Sequence, residues 1–172
     1  MSNIETFEQL FQTGLEHMYD AEKQLTKALP KMAEASTSPQ LRRAFDEHQR
    51  QTEEHVRRLE RIFSMLETSS STKSNDVIEK MVDDAQSVIK HTDASPLRDA
   101  ALIGKGNGVE HFEMACYGTL RNYAELLGRN DIVTLLQQTL DEEKQADELL
   151  TRIGEQDVNR QALQMRGEMA HR

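Results

Sequence analysis

The chain has 172 residues, enough for one domain with a sizeable core. Its 30 acidic against 21 basic residues give a formal net charge of -9, which argues against a nucleic-acid or anionic-membrane surface. Three prolines, no tryptophan and abundant Glu, Gln, Leu, Ala and Lys favour an all-helical fold; the single Cys116 can form no internal disulfide, and no apolar run approaches a membrane span, so a soluble, cytoplasmic protein is expected.

The first helix is expected to start near Ser2 or Asn3, either of which can cap free amides, with Glu5 in its first turn. Its apolar ladder runs Ile4, Phe7, Phe11, Leu15, Met18, then Glu22, then Leu25, Leu29 and Met32, in steps of three and four as a bundle seam requires. Glu22 occupies a seam position where an apolar residue belongs. Pro30 is expected to bend or end this helix ahead of the Ser36-Thr37-Ser38-Pro39 turn. Ser38 and Pro39 cap and open a second helix whose seam reads Leu41, Phe45, His48, Thr52, His55, Leu59, Ile62 and Leu66. Folded as a hairpin about residues 36 and 37, the pair brings Glu22 level with the polar middle of the second helix, where His48 and His55 point within about 20° of each other and Gln51 lies beside them. Glu53 and Glu54 project off the seam and are expected to be solvated.

Thr68 to Asn75 reads as a solvated Ser/Thr-rich connection. It leads to a short amphipathic helix over residues 76–90 that carries the chain back along the bundle, and Ser95-Pro96 then opens the third long helix. That helix runs to about Leu127, where Gly128 stops it, and turns Leu102, Gly106, Val109, Glu110, Glu113, Tyr117, Leu120 and Ala124 inward. Glu110 and Glu113 fall within about 60° of each other with Tyr117 between them, so all three face one interior point. Gly104, Gly106 and Gly108 cost helix propensity and predict close helix contact or a bulge. The fourth long helix begins after Asn130 or Asp131 with the seam Ile132, Leu136, Leu140, Glu143, Asp147 and Leu150, and reflection about residue 129 sets Glu143 and Asp147 level with residues 111–115. Residues 1–160 are expected to form the bundle domain and 161–172 a tail, with Gly167 to Arg172 frayed.

Interior carboxylates in several helices at one depth oppose folding unless something neutralises them. No seam position holds Lys or Arg. Two divalent cations, iron or else manganese, would remove the repulsion, with carboxylates bridging, imidazoles completing the shell and open positions admitting dioxygen or peroxide. The alternative is a bundle whose interior carboxylates pair with Lys, Arg or His.

Asp20-Ala21-Glu22-Lys23-Gln24-Leu25, Arg98-Asp99-Ala100-Ala101-Leu102-Ile103, Val109-Glu110-His111-Phe112-Glu113 with Tyr117-Gly118-Thr119-Leu120, and Glu142-Glu143-Lys144 with Asp147 resemble the YciE/YciF family of bacterial, stress-associated, ferritin-like proteins, and the YciE branch in particular. The resemblance implies a ferritin-like four-helix bundle, a dimetal centre commonly taken as di-iron, and a homodimer. Similarity to rubrerythrins implies one Glu from the first helix, Glu-x-x-His from the second, Glu-x-x-Glu from the third and Glu from the fourth. Glu22, Glu110, Glu113 and Glu143 match that pattern. The second helix departs from it, with Gln51 where a bridging glutamate is expected and Glu54 where the histidine is expected. A glutamine offers only a neutral carbonyl oxygen and bridges poorly, which leaves three outcomes: a weakly bound second metal, His48 or His55 as the ligand instead, or a single ion.

Three functions fit this reading. The first is a dimetal protein reacting with oxygen or peroxide in a rubrerythrin-like way, with Tyr117 as a redox-active neighbour or as a core aromatic whose hydroxyl bonds an interior carboxylate. The second is a non-enzymatic metal-binding or structural stress protein acting through a protein partner, and the third is iron storage in a shell.

Overall fold

Thr6 starts the first helix, its hydroxyl accepting from the Gln9 amide while the Gln9 side chain accepts the Thr6 N–H, a reciprocal cap. The computed structural model describes residues 4–169, so the expected caps Ser2 and Asn3 lie outside the described residues. Because Thr6 takes the capping role, Ile4 precedes the helix and is exposed, and Phe7 at its first turn stacks edge-on against Tyr123. Helix α1 spans Phe7–Ala35, running five residues beyond Pro30. Proline in a helix interior costs roughly 3 kcal/mol, but Pro30 faces solvent while Leu29, Met32 and Ala33 stay buried, so packing on both sides carries the helix through.

Helix α2 (Pro39–Met65) follows a three-residue turn and packs antiparallel to α1. After the crossover with α3 (Asp76–His91), α4 (Pro96–Leu126) and α5 (Asn130–Ile153) form the second hairpin. Gly128 supplies the left-handed residue (φ 70°) that turns α4 into α5. The two hairpins are tied at both ends. The carboxylate of Asp99 in the first turn of α4 accepts the Thr37 and Ser38 amides and the Thr37 hydroxyl at 2.6–2.8 Å. Arg129 in the opposite turn donates to the Met65 carbonyl at 3.1 Å. Helices α1 and α5 therefore run one way and α2 and α4 the other, the ferritin-like bundle with one long crossover.

The crossover is not a free solvated strand. Ser71 and Lys73 hold the Glu16 carboxylate, the Asn75 amide donates to Asp20, and His17 bonds the Ser74 carbonyl. The linker's polar groups find partners on a polar stripe of α1 that a seam-based reading passes over, and Asn75 is buried as the cap of α3. Beyond Ile153 one π turn, Gly154–Val158, leads into α6 (Asn159–Met169), which packs on α4 and crosses the boundary expected at residue 160. Gly167–Met169 belong to this helix rather than to a frayed end, and 170–172 lie outside the described residues.

Of the four α4 glycines only Gly106 makes a close contact: a Cβ there would lie 2.7 Å from Leu150 Cδ1 and 3.4 Å from Phe45 Cε1, whereas Gly104, Gly108 and Gly118 face open space. Gly108→Ala should accordingly stabilise the fold by about 1 kcal/mol through helix propensity, while Gly106→Ala, overpacked against Leu150, should lower the melting temperature. Equal shifts of the same sign in the two variants would contradict the packing described.

Candidate metal centre

The seam period of each long helix turns one or two ionisable groups into the middle of the bundle: Glu22 from α1, His48 and His55 from α2, Glu110 and Glu113 from α4, and Glu143 from α5. All six are buried, with exposure between 0% and 5%. They fall into two overlapping sets, His48 with Glu110, Glu113 and Glu143, and Glu22 with His55 and Glu143, whose ligand atoms within each set lie within 4.8 Å of one another. Glu143 belongs to both. His48 Nε2 stands 3.1 Å from Glu110 and 3.5 Å from Glu143, and His55 Nδ1 stands 3.0 Å from Glu143 and 3.4 Å from Glu22.

Eight buried oxygen and nitrogen atoms of these six side chains make no well-aligned hydrogen bond, and four of them, Glu22 Oε2, Glu110 Oε2 and both Glu113 oxygens, have no ion-pair partner either. Buried polar atoms are almost always satisfied, and each orphan costs about 1–3 kcal/mol. Such atoms on four carboxylates and two imidazoles, all converging, form a donor set for hard or borderline cations. Four carboxylates also balance the charge of two divalent ions.

The outer groups orient the histidines. His55 Nε2 bonds Glu142 at 2.8 Å, and Arg58 holds Glu142 and Thr139, leaving Nδ1 directed at the centre. The His55 imidazole, with Arg58 behind it, draws Glu142 down to about 2, so this anchor is ionised. His48 Nδ1 meets Gln51 Oε1 at 3.3 Å, leaving Nε2 inward. Anchors of this kind fix the tautomer and ring orientation of metal-binding histidines. Glu142 and Arg58 lie off the apolar seam, and the α2-to-α5 spacing that joins them to His55 is not visible in sequence.

In a chain without metal, protons must take the place of cations. Burial pushes Glu143 up to about 8, helped by Glu110 and resisted by His48, and burial with the Glu22 carboxylate raises Glu113 well above its ordinary range. Burial opposes the charge on His48, yet Glu110 and Glu143 hold it up at about 10.

Tyr117 lies completely buried between the two hairpins and donates its hydroxyl to Glu22. Burial and then the Glu22 charge raise its phenol well above the ordinary value, so it is neutral at physiological pH. Gln51 sits beside the cluster, its Oε1 against His48 Nδ1. Asp147 stands outside both sets. It accepts from Asn107 Nδ2 at 2.6 Å and lies 3.2 Å from His111, because α5 turns Ala146 and Leu150 inward at that level.

A family model described as a domain of unknown function, DUF892, matches residues 6–163. The chain belongs to this family. Over 164 residues it is 40% identical to the YciF protein of Escherichia coli K12, covering 93% of this chain and 97% of that one. The crystal structure of the E. coli stress protein YciF superposes with a TM-score of 0.87 at 37% identity, covering 91% of this chain and 99% of that one. A protein of Xanthomonas campestris shares the fold at a TM-score of 0.75 and 21% identity, over 95% and 99% of the two chains. The named likenesses are to YciF, so they carry the family and not the narrower YciE branch. Among the described residues no helix is long and apolar enough to cross a membrane.

Proposed function

We propose that this chain is a ferritin-like stress protein that binds two divalent metal ions, iron foremost and manganese as the other candidate, and turns over dioxygen or peroxide at them in the cytoplasm. The observation that carries the reading is the convergence of Glu22, His48, His55, Glu110, Glu113 and Glu143, in which one oxygen of Glu22, one of Glu110 and both of Glu113 are buried with neither a hydrogen bond nor an ion-pair partner. Glu143 would serve both ions, Glu22 with His55 would complete one position, and Glu110 and Glu113 with His48 the other. A ferrous pair held there would supply the two electrons that, with two protons, reduce hydrogen peroxide to two waters, and an external electron donor would have to return the resulting ferric pair to ferrous for each further turnover. The chain's own part is to hold the ions, exclude bulk water and keep Glu22 oriented through the Tyr117 hydroxyl.

The experiment is metal analysis of protein purified without added metal, followed by anaerobic loading with ferrous iron and addition of peroxide. Two irons per chain and peroxide-dependent oxidation are expected. Loading without any peroxide reaction would instead favour the non-enzymatic metal protein.

Gln51 decides how closely the centre follows the rubrerythrin pattern. Gln51→Glu gives His48 a carboxylate anchor like that of His55 and adds negative charge beside the cluster, so metal affinity should rise by about tenfold. His48→Ala and His55→Ala should each release an ion. Unchanged metal binding in both histidine variants would exclude the imidazoles as ligands.

We also propose a homodimer, supported by the family resemblance and by exposed Val77, Leu97 and Leu126. Light scattering at micromolar concentration is expected to give the mass of two chains, and a one-chain mass would remove the proposal.

A further inference from the structure

The six side chains of the centre are sealed by the bundle, yet their chemistry requires a way in. His48 is the most exposed of them at 5%, against 0–1% for the others. It forms the inner wall, with Gln51, of a cavity of about 140 Å³ between α2 and α5. The remaining walls are apolar at Ala44, Phe45, Ala146, Leu149 and Leu150 and polar at Glu47 and Gln145, and Leu149 stands at the surface with 38% of its area exposed. The larger groove beside Lys31 and Arg98 and the one where α3 meets α1 and α4 contain no side chain of the centre.

We propose that this cavity is the entry port of the centre and that it admits small, weakly polar molecules of dioxygen or peroxide size to the His48 side. Its volume suits a few water-sized molecules, each of which occupies about 30 Å³ in the liquid. A lipid hydroperoxide does not fit. Five of the nine lining residues are apolar, which favours a small uncharged ligand over an ion that would give up most of its hydration on passing them. Gln51 has two tasks at this point, orienting His48 and bounding the last step of the path.

The inference rests on the dimetal reading, and nitric oxide, a dioxygen-sized probe that reports binding rather than turnover, separates the two. Wild type, Ala146→Phe and Leu149→Ala are loaded anaerobically with ferrous iron, assayed for iron content and folding, and mixed with nitric oxide in a stopped-flow instrument. The phenylalanine fills the port and should slow association at least about tenfold, while Leu149→Ala should speed it, with iron content unchanged in both. Ala44→Phe, on the facing wall, replaces Ala146→Phe if the latter fails to fold. Equal association rates in iron-loaded wild type, the filling variant and Leu149→Ala overturn the port while leaving the dimetal centre standing. A wild-type chain that takes up no iron overturns both.

Discussion

Glu143→Leu is expected to lower divalent-metal affinity by at least about 100-fold while leaving helicity intact, because Glu143 alone belongs to both ligand sets. Its cost in stability should be larger with metal than without. Without metal the substitution removes a buried carboxylate that repels Glu110 and Glu113, but it also takes from His48 and His55 the carboxylate that faces them at 3.5 and 3.0 Å, and removing one partner of a buried ion pair costs about 3–5 kcal/mol. With metal the wild type gains binding energy that the variant cannot. Glu22→Ala should also lower bound metal, since it removes one of the two carboxylates that accompany His55.

The pH dependence also differs between metal-free and metal-loaded protein. Glu143 rises from an ordinary 4.5 to about 8 in the folded chain, so the stability tied to its proton is fully present below 4.5 and is lost as pH rises through 8. Metal-free protein should therefore become less stable over that window through this group. Metal-loaded protein should become more stable, since ligation requires the carboxylate ionised and neutral imidazole. Melting curves at pH 5 and 8 with and without manganese check this, and parallel slopes in the two series would show that Glu143 does not bind the ion.

Asp99→Ala should be the most damaging change away from the centre. Asp99 is 1% exposed and accepts three hydrogen bonds from the α1–α2 turn, so its loss strands the Thr37 and Ser38 amides and unties the two hairpins at one end. Hydrogen bonds to a charged group contribute about 1.5–3 kcal/mol each, and a total cost of at least about 3 kcal/mol, or roughly 6–12 °C in melting temperature, is expected. Asp99→Asn, which keeps the shape and one acceptor, should cost less. If the alanine variant melts within a degree of wild type, the tie between the hairpins is not what holds α4 in register.

The local pattern of the sequence sufficed wherever a residue's role is set by its own helix. Steps of three and four placed Leu41, Phe45, His48, Thr52, His55, Leu59 and Ile62 on one buried face, and the same period picked out Glu22, Glu110, Glu113 and Glu143, because a helix fixes which of its own side chains share a direction. It failed for Asp147, where a few tens of degrees of helix rotation decide between the core and the Asn107 and His111 side chains. Nor does periodicity along one helix specify contacts between helices. The pairing of His55 with Glu142 and Arg58, the Asp99 tie, the fastening of residues 71–75 to α1 and the cavity beside His48 join residues far apart in the chain, and their geometry is set only when the helices pack. The sequence by itself thus determined the bundle and the identity of the groups buried at its centre, through the period of each helix; the tertiary structure alone decided which of those groups meet, what orients the two histidines and where the centre can be reached, because those depend on the rotation and register of one helix against another.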